Sequence, residues 1–273
     1  MIRKILKDKV AVMCILILSI ICMLGIFAPQ LAPNDPYAQD IANKYSSFSK
    51  IYPLGTDSLG RCVLSRLIYG IRPTIFLSLF TMVCTIFIGT LVGLISGYFG
   101  GIIDEVFMRL CDIMLSFPSQ VMILAIVGVL GVGIENVIFA NIIVKWAWYA
   151  RMIRGITIQY RNKNYMMYSK VIGSKVGYVL SKHLVPNILA EVIILATLDM
   201  GWVILNISTL SFLGLGVQAP APEWGAMLSE AKNFISTQPM QMLAPGLAIL
   251  IVVAAFNLLG DSLRDVLDNK EAA

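Results

Sequence analysis

The sequence predicts an all-α protein that crosses a membrane about six times, and three observations support this fold class. Of its 273 residues, 58% are hydrophobic and only 14% are charged, whereas soluble domains carry about 25% charged residues. The mean hydropathy is +0.81. The hydrophobic residues also form runs of about 20, which is the length an α-helix needs to cross a bilayer core. A chain with so few charges cannot cover a soluble surface, so we expect one membrane domain.

The first apolar run covers residues 10–27 and follows a basic stretch that contains Arg3, Lys4, Lys7 and Lys9. We interpret it as the first transmembrane helix. A cleaved signal peptide is the alternative, but this run is longer than the apolar region of about 7–15 residues in such peptides. Nothing downstream has the pattern of a secreted domain.

A polar, turn-rich loop is expected next, over residues 29–72. At its end, residues 58–70 alternate apolar residues with Arg61 and Arg66 at helical spacing, which predicts a short helix on the membrane surface. Four of the five cysteines lie in or beside apolar runs, and Cys62 is the one expected to be accessible. None forms a Cys-X-X-Cys pair, so neither a disulfide framework nor a thiolate metal site is expected.

Five further apolar runs predict the remaining membrane helices, near residues 74–97, 112–135, 136–150, 188–212 and 243–260. The helix over 112–135 is expected to begin as early as Asp104 and to kink at Pro118. The next helix carries Lys145, and the one after it carries Glu191 and Asp199.

The distribution of Lys and Arg predicts that both termini lie in the cytoplasm. With that orientation the N-terminal segment, the loop 151–182 and the C-terminus hold four, seven and two of the 21 basic residues, against six in the outer loops. Cytoplasmic loops carry such an excess. The net charge of +5 therefore reflects loop bias, and we expect no nucleic-acid partner.

Common catalytic motifs are missing from the sequence. It has no phosphate-binding Gly-Lys dipeptide, no Gly-X-Ser-X-Gly and no His-Glu-X-X-His. His183 is the only histidine, which excludes a multi-histidine metal site within this chain. The sequence therefore argues against an enzyme, and we expect no catalytic residue, metal site or cofactor. Uphill transport would need an ion gradient or another polypeptide.

The most informative segment lies between the predicted fourth and fifth helices. It contains Tyr165-Met166-Met167-Tyr168-Ser169-Lys170-Val171-Ile172-Gly173, then nine residues, then His183-Leu184-Val185-Pro186-Asn187. The pattern predicts a short helix that ends at Gly173, a second amphipathic helix, and Pro186 in the first turn of the next span. Such a helix–turn–helix suits docking of a soluble partner, and a solvated basic loop is the alternative.

This segment resembles the EAA loop of bacterial ABC importer permeases, which sits in a groove of the ATPase subunit. The resemblance implies an ATPase coupling loop made by Tyr165, Met167, Tyr168, Ser169, Gly173, His183 and Pro186. The Glu-Ala-Ala of the family falls on Met167, Tyr168 and Ser169, so the acidic residue is absent here, and with it any salt bridge that it would make.

Further segments resemble the dipeptide/nickel group of these permeases. They are Leu-Gly-Thr-Asp-Ser-Leu-Gly-Arg at 54–61, Ser-Phe-Leu-Gly-Leu-Gly-Val at 211–217, Pro-Glu-Trp-Gly at 222–225 and Phe-Asn-Leu-Leu-Gly-Asp at 256–261. Cys62 stands where the group usually has Asp. Residues 146–152, 195–201 and 237–242 are most similar to the nickel permease subunit.

The resemblance implies a type I ABC importer permease in a bacterial cytoplasmic (inner) membrane. Its implied partners are a second permease subunit, two ATPase subunits, an extracytoplasmic solute-binding protein and the lipid bilayer. The implied cargo is nickel, free or chelated, with dipeptides or oligopeptides as the alternative. An ion-coupled secondary transporter is a third hypothesis, against which the lack of an internal repeat counts. The expected parts are an N-terminal segment 1–71 with the first span and the outer loop, a permease domain 72–264 and a cytoplasmic tail 265–273.

Polar residues inside the predicted spans are candidates for the translocation path. Asp199 and Asn206 lie seven residues apart and therefore share one helix face. One hypothesis is that they line the path together with Lys145 and attract a cationic metal complex. The favoured alternative is that they hydrogen-bond to neighbouring helices or to the partner permease. The aromatic residues beside Lys145 are expected to serve as packing or interfacial anchors.

Overall fold

The computed structural model describes residues 8–268, and over that range the chain is helical without a strand, which confirms the predicted all-α class. The basic residues Arg3, Lys4 and Lys7 and residues 269–273 of the expected tail lie outside the described residues. The helices are α1 Lys9–Ile26, α2 Ala28–Leu31, α3 Val63–Ile71, α4 Leu77–Phe99, α5 Gly101–Leu115, α6 Ser119–Leu130, α7 Ile134–Arg161, α8 Asn164–Val171, α9 Val176–Tyr178, α10 Val185–Phe212, α11 Trp224–Ala231 and α12 Met240–Asp268. Short 3₁₀ turns cover Ile41–Asn43 and Lys232–Phe234, and π-helical turns cover Arg72–Phe76 and Val179–Leu184.

Four helical stretches are long and apolar enough to cross a membrane, namely Lys9–Ile26, Val63–Phe99, Val176–Phe212 and Met240–Val266. Helices α5 and α6 make a fifth candidate when they are counted as one bent span. By length and composition, the described residues therefore contain four or five candidate spans, compared with about six predicted from the sequence.

The predicted span that falls short is α7. It is 28 residues long, but Lys145 and Asn141 lie in its middle and reduce its apolar character. Neighbouring helices bury one face of α7, including Val144 and Ala147, and Asn141 is buried with them. A helix enclosed in this way needs fewer lipid-compatible side chains than one that faces the bilayer.

Pro118 does more than kink the predicted third span. Helix α5 ends at Leu115, α6 begins at Ser119, and the two axes differ by 83°. Pro118 is the N-cap of α6, with φ −58° and ψ 123°. A proline disfavours the helical conformation of the residue before it and has no N–H to continue a helix, so the break falls at this position.

The helix predicted on the membrane surface is in fact part of a long span. Helix α3 continues through the π-helical turn Arg72–Phe76 into α4. Arg61 and Arg66 are buried at 2% and 1% exposure, because Arg61 pairs with Asp57 at 2.7 Å and both guanidinium groups reach Glu230 at 2.7 and 3.0 Å. Cys62, expected to be accessible, is 1% exposed. The basic residues thus join the outer loop to α11.

Helices α4 and α7 pack with their backbones nearly in contact. Three glycines, Gly89, Gly93 and Gly97, form a row on α4, one at every fourth residue. A Cβ added to Gly93 would lie 2.6 Å from the carbonyl oxygen of Ala150, and one added to Gly97 would lie 2.7 Å from Thr157. Any side chain at these positions would separate the two helices.

Several contacts assign helix ends to one side of the bundle, which we call the outer side. The Arg72 guanidinium donates to the carbonyls of Gly25 and Ile26 at the end of α1, at 2.8 and 3.0 Å. Gln241, at the start of α12, donates to the Thr56 carbonyl at 3.2 Å. The end of α1, the region around α3 and the start of α12 therefore lie together.

The opposite side holds the segment between α7 and α10. Arg161, the last residue of α7, donates to the carbonyls of Gly97 and Tyr98 near the end of α4, both at 3.1 Å. Since α1 and α12 have their other ends on the outer side, the start of α1 and the end of α12 lie on this side as well.

Candidate functional site

The segment between α7 and α10 is the predicted helix–turn–helix. Helix α8 ends at Val171, and Gly173 follows with φ +73°. The Ser174 amide donates to the Ser169 carbonyl at 3.1 Å, five residues back. This bond and a left-handed glycine are the two marks of a Schellman ending, so Gly173 fixes the turn. Ser169 also donates its hydroxyl to the Tyr165 carbonyl at 3.0 Å.

The second half of the loop is braced by aromatic contacts. The His183 ring packs edge-on against Tyr178, with centroids 5.6 Å apart, and lies tilted by 51° against Tyr165, with centroids 6.2 Å apart. Asn187 donates to the Tyr165 hydroxyl at 3.3 Å. Partial burial raises the pKa of Tyr165. Pro186 stands in the first turn of α10, as expected. The structure thus brings Tyr165 and His183 together across the two arms of the loop.

Exposure divides the loop residues into two groups. Met166 and Leu184 are fully buried, and Ser169 is 6% exposed. Seven other large apolar side chains face outward: Tyr165, Met167, Tyr168, Val171, Ile172, Val176 and Tyr178 are 39% to 84% exposed. We call these seven residues the loop surface. An exposed apolar patch on a rigid turn is typical of a protein contact site.

A second group of polar contacts joins α7 to α10 inside the bundle. The Asn206 amide donates to the Asn141 side-chain oxygen at 2.7 Å. The Lys145 ammonium lies 3.7 Å from the Asp199 carboxylate. Nearer the loop, the Tyr160 hydroxyl donates to Glu191 at 3.0 Å. Residues further along α7 contact residues nearer the start of α10, so the two helices run antiparallel.

Aromatic rings surround the Lys145 ammonium. It lies 3.5 Å from the centroid of the Trp202 ring and 5.7 Å from that of Trp148. The Tyr149 hydroxyl donates to the Asp199 carboxylate. The sequence hypotheses assigned Trp148 only a packing role and did not single out Trp202. The available signal was spacing, because each Trp stands three residues after its charged neighbour, one turn along the same helix.

The three candidate path residues therefore differ in their surroundings. Asn206 is 4% exposed and bonded across helices, as the favoured alternative described. The side chains of Lys145 and Asp199 are 15% and 18% exposed, so part of each faces the surface of the chain. Their roles in transport remain predictions.

Glu223 is a buried group on the outer side to which the sequence hypotheses gave no role. It is fully buried and caps α11 by accepting from the Ala226 amide at 2.8 Å. It also accepts from the hydroxyls of Thr74 at 3.0 Å and Ser208 at 3.2 Å. Burial raises the pKa of Glu223, and the hydrogen bonds to it oppose that shift. One carboxylate thereby joins α10, α11 and the turn before α4.

Two known families match different parts of the chain. Residues 89–272 match the family described as "binding-protein-dependent transport system inner membrane component". Residues 1–47 match the N-terminal transmembrane domain of oligopeptide transport permease C.

Curated relatives include carriers of different cargo. The chain is 43% identical to the metal-staphylopine import system permease protein of Staphylococcus aureus strain Mu50, over 97% of this chain and 92% of the relative. It is 39% identical to a dipeptide transport system permease protein of Alkalihalophilus pseudofirmus, over 98% and 88%. It is 38% identical to the nickel transport system permease protein of Escherichia coli K12, over 94% and 92%. The chain therefore belongs to the binding-protein-dependent inner-membrane permeases, the membrane subunits of ABC importers.

Proposed function

We propose that this permease subunit forms, with a second permease, the translocation path of a nickel importer, for the free or the chelated ion. Two ATPase subunits dock on its cytoplasmic side, and a solute-binding protein delivers cargo to its outer side. ATP binding and hydrolysis on the ATPases then shift the path between inward- and outward-facing states, because the nucleotide states favour different conformations. The single observation that carries the coupling role is the loop surface.

The loop surface supports an ATPase contact because it is apolar, exposed and held in one shape. Gly173 sets the turn, and the Tyr165–His183 contact links the arms of the loop. A solvated loop would not need to expose Val171 at 84% and Tyr168 at 66%. Covering such side chains with a partner removes apolar area from water.

The proposed orientation in the membrane is supported by the basic residues on the side of the bundle that holds the loop. The loop, the start of α1 and the end of α12 share that side, and the loop region 151–182 carries seven Lys and Arg. Under the positive-inside bias this side is cytoplasmic, so both termini are cytoplasmic and residues 29–62 are extracytoplasmic.

The nickel assignment rests on the three segments that resemble the nickel permease subunit. Dipeptides are the second candidate cargo, because the dipeptide permease relative is 39% identical and the nickel permease relative is 38% identical. Uptake of nickel-63 and of a labelled dipeptide should be compared in cells that express the complete importer and lack their own. We expect nickel uptake that depends on this chain. Dipeptide uptake without nickel uptake would replace the nickel assignment with the second candidate.

Two single substitutions, with a third as control, test the coupling loop. Tyr168→Asp and Val171→Asp place charges on the loop surface, and Phe48→Asp places one on a residue that is 59% exposed in the outer loop. We expect the two loop variants to lose co-purifying ATPase at least tenfold, and the control to retain it. Full retention by both loop variants would show that the ATPase docks elsewhere.

A further inference from the structure

A charged pair near the middle of two long helices of the bundle is partly exposed. Lys145 and Asp199 stand close to the centres of the 28-residue helices α7 and α10. Their side chains are 15% and 18% exposed. Charged side chains at this depth are costly in lipid and face the interior of a bundle or a water-filled cavity. This surface of the chain is therefore directed toward such a cavity or toward the partner permease.

The surroundings of the Lys145 ammonium have the chemistry of a cation site. Asp199 provides a carboxylate, Trp202 presents its ring face at 3.5 Å, and Trp148 contributes a second ring at 5.7 Å. A carboxylate beside the faces of Trp rings is a combination that recognises ammonium cations, including quaternary ammonium ligands.

The ammonium is held by an ion pair and a ring contact rather than by a short hydrogen bond. Its distance to the carboxylate, 3.7 Å, exceeds that of a direct hydrogen bond. Asp199 also keeps a second partner, because Tyr149 donates a hydrogen bond to it. The carboxylate is thus fixed by Tyr149 whether or not Lys145 is present. By contrast, the neighbouring Asn141–Asn206 bond is short, at 2.7 Å, and buried.

We propose that Asp199, Trp202 and Trp148 form a cation-binding site in the translocation path, and that the Lys145 ammonium is its tethered resident. A cationic cargo, such as a metal complex with net positive charge, displaces the ammonium as it passes. The flexible lysine stem then returns the ammonium to the site, which lowers the affinity for cargo and promotes release. A pathway site must bind well enough to admit cargo and weakly enough to let it go. This inference rests on the proposed importer of a cationic cargo.

The test removes the resident and probes the vacant site with N-methylpyridinium, a planar organic cation that quenches tryptophan fluorescence. The complete importer, with both permeases and the ATPases, is placed in nanodiscs. We expect Lys145→Ala to show saturable quenching at a concentration at least tenfold below that needed for the wild type. Adding Asp199→Asn to Lys145→Ala should abolish the saturable component, whereas quenching by neutral acrylamide should change little between the two variants.

A matched control comes from another lysine that lies over an aromatic ring. Lys232 stands 5.8 Å from the Phe212 ring, on the outer side. Lys232→Ala should not create saturable quenching. If Lys145→Ala fails to assemble, Lys145→Gln keeps a polar side chain of similar length without the charge and should give the same shift in a smaller degree.

The outcomes separate this site from the proposed function. Saturable, Asp199-dependent quenching together with dipeptide uptake but no nickel uptake would leave the cation site standing and remove the nickel assignment. Nickel uptake by the wild type together with equal quenching of Lys145→Ala and the Lys145→Ala/Asp199→Asn variant would overturn the site alone. Absence of saturable quenching in the Lys145→Ala and Lys145→Gln importers would show that no cation binds at this surface, and would also overturn the site.

Discussion

Helix α7 contacts two of its neighbours, α4 and α10, in opposite ways. Toward α4 it packs on a row of glycines, and Gly93 approaches the backbone of Ala150 so closely that no Cβ fits. Toward α10 it is joined by polar side chains, among them the Lys145–Asp199 and Asn141–Asn206 pairs. We call these contacts the glycine seam and the polar seam.

The two seams differ in the relative movement of the helices that each permits. The glycine seam joins backbones, so it has one close geometry. The polar seam joins side chains, which can rotate and exchange partners while the helices move. The proposed coupling loop connects α7 to α10 and therefore bridges the polar seam. A movement of the loop would act on the contact that side chains alone maintain.

The largest effect is expected where the glycine seam is filled. Gly93→Leu should prevent correct packing of α4 and α7, at the upper end of the ~1–3 kcal/mol range for overpacked cores. Fluorescence-detected size exclusion should show that the assembled complex is lost. The control is Gly155→Leu on α7, where an added Cβ meets nothing within 4 Å. Wild-type elution and thermal stability of Gly93→Leu would refute the close packing of this seam.

A smaller effect is expected for the charged pair in the polar seam. Asp199→Leu leaves Lys145 without its carboxylate and should destabilise the complex by ~2 kcal/mol, measured by thermal unfolding in detergent. Adding Lys145→Leu removes the stranded charge, so the double variant should regain about half of that loss. Strictly additive effects of the two substitutions would show that the pair is not coupled.

The turn at Gly173, in the loop that connects α7 to α10, can be tested next. Gly173→Ala forces a side chain into a residue with φ +73°, at a cost of ~1 kcal/mol. Limited proteolysis should cut the loop faster in this variant, while the membrane helices keep their stability. Gly177→Ala, in the same loop but without positive φ, is the control. Equal cleavage rates for the two variants would argue against the Schellman ending.

The smallest effect is expected at the Asn141–Asn206 contact. Interhelical hydrogen bonds in membranes contribute ~0.6 kcal/mol on average. Asn206→Leu should lower thermal stability by about that amount, and Thr209→Val, which loses only a bond within α10, should lower it less. A loss as large as that of Gly93→Leu would mean that the two seams are equally rigid.

Local patterns made most of the fold predictable, and long-range contacts limited the rest. The loop was predictable because Gly173 and Pro186 act on their own backbone neighbourhood. The burial of Arg66 was not, since its partner Glu230 lies 164 residues away in the sequence. The spacing Gly89-Gly93-Gly97 carries a signal for close helix packing that the sequence hypotheses did not use, and its partner helix required the structure. Likewise, Asp199 and Lys145 were recognisable as polar residues in spans, while the contact of the Trp202 ring with the Lys145 ammonium required the structure.

The hydrogen bonds from Arg72 to α1 do not depend on the side chains of α1. Arg72 lies between the two segments that match known families, residues 1–47 and 89–272. Its guanidinium binds α1 only through the backbone carbonyls of Gly25 and Ile26. Such carbonyls exist in any helix, so a chimera could exchange α1 between relatives and keep this attachment. At this attachment the incoming sequence needs a glycine at position 25, where an added Cβ would lie 2.6 Å from Ile71, and its other faces must still pack on α12 and α3.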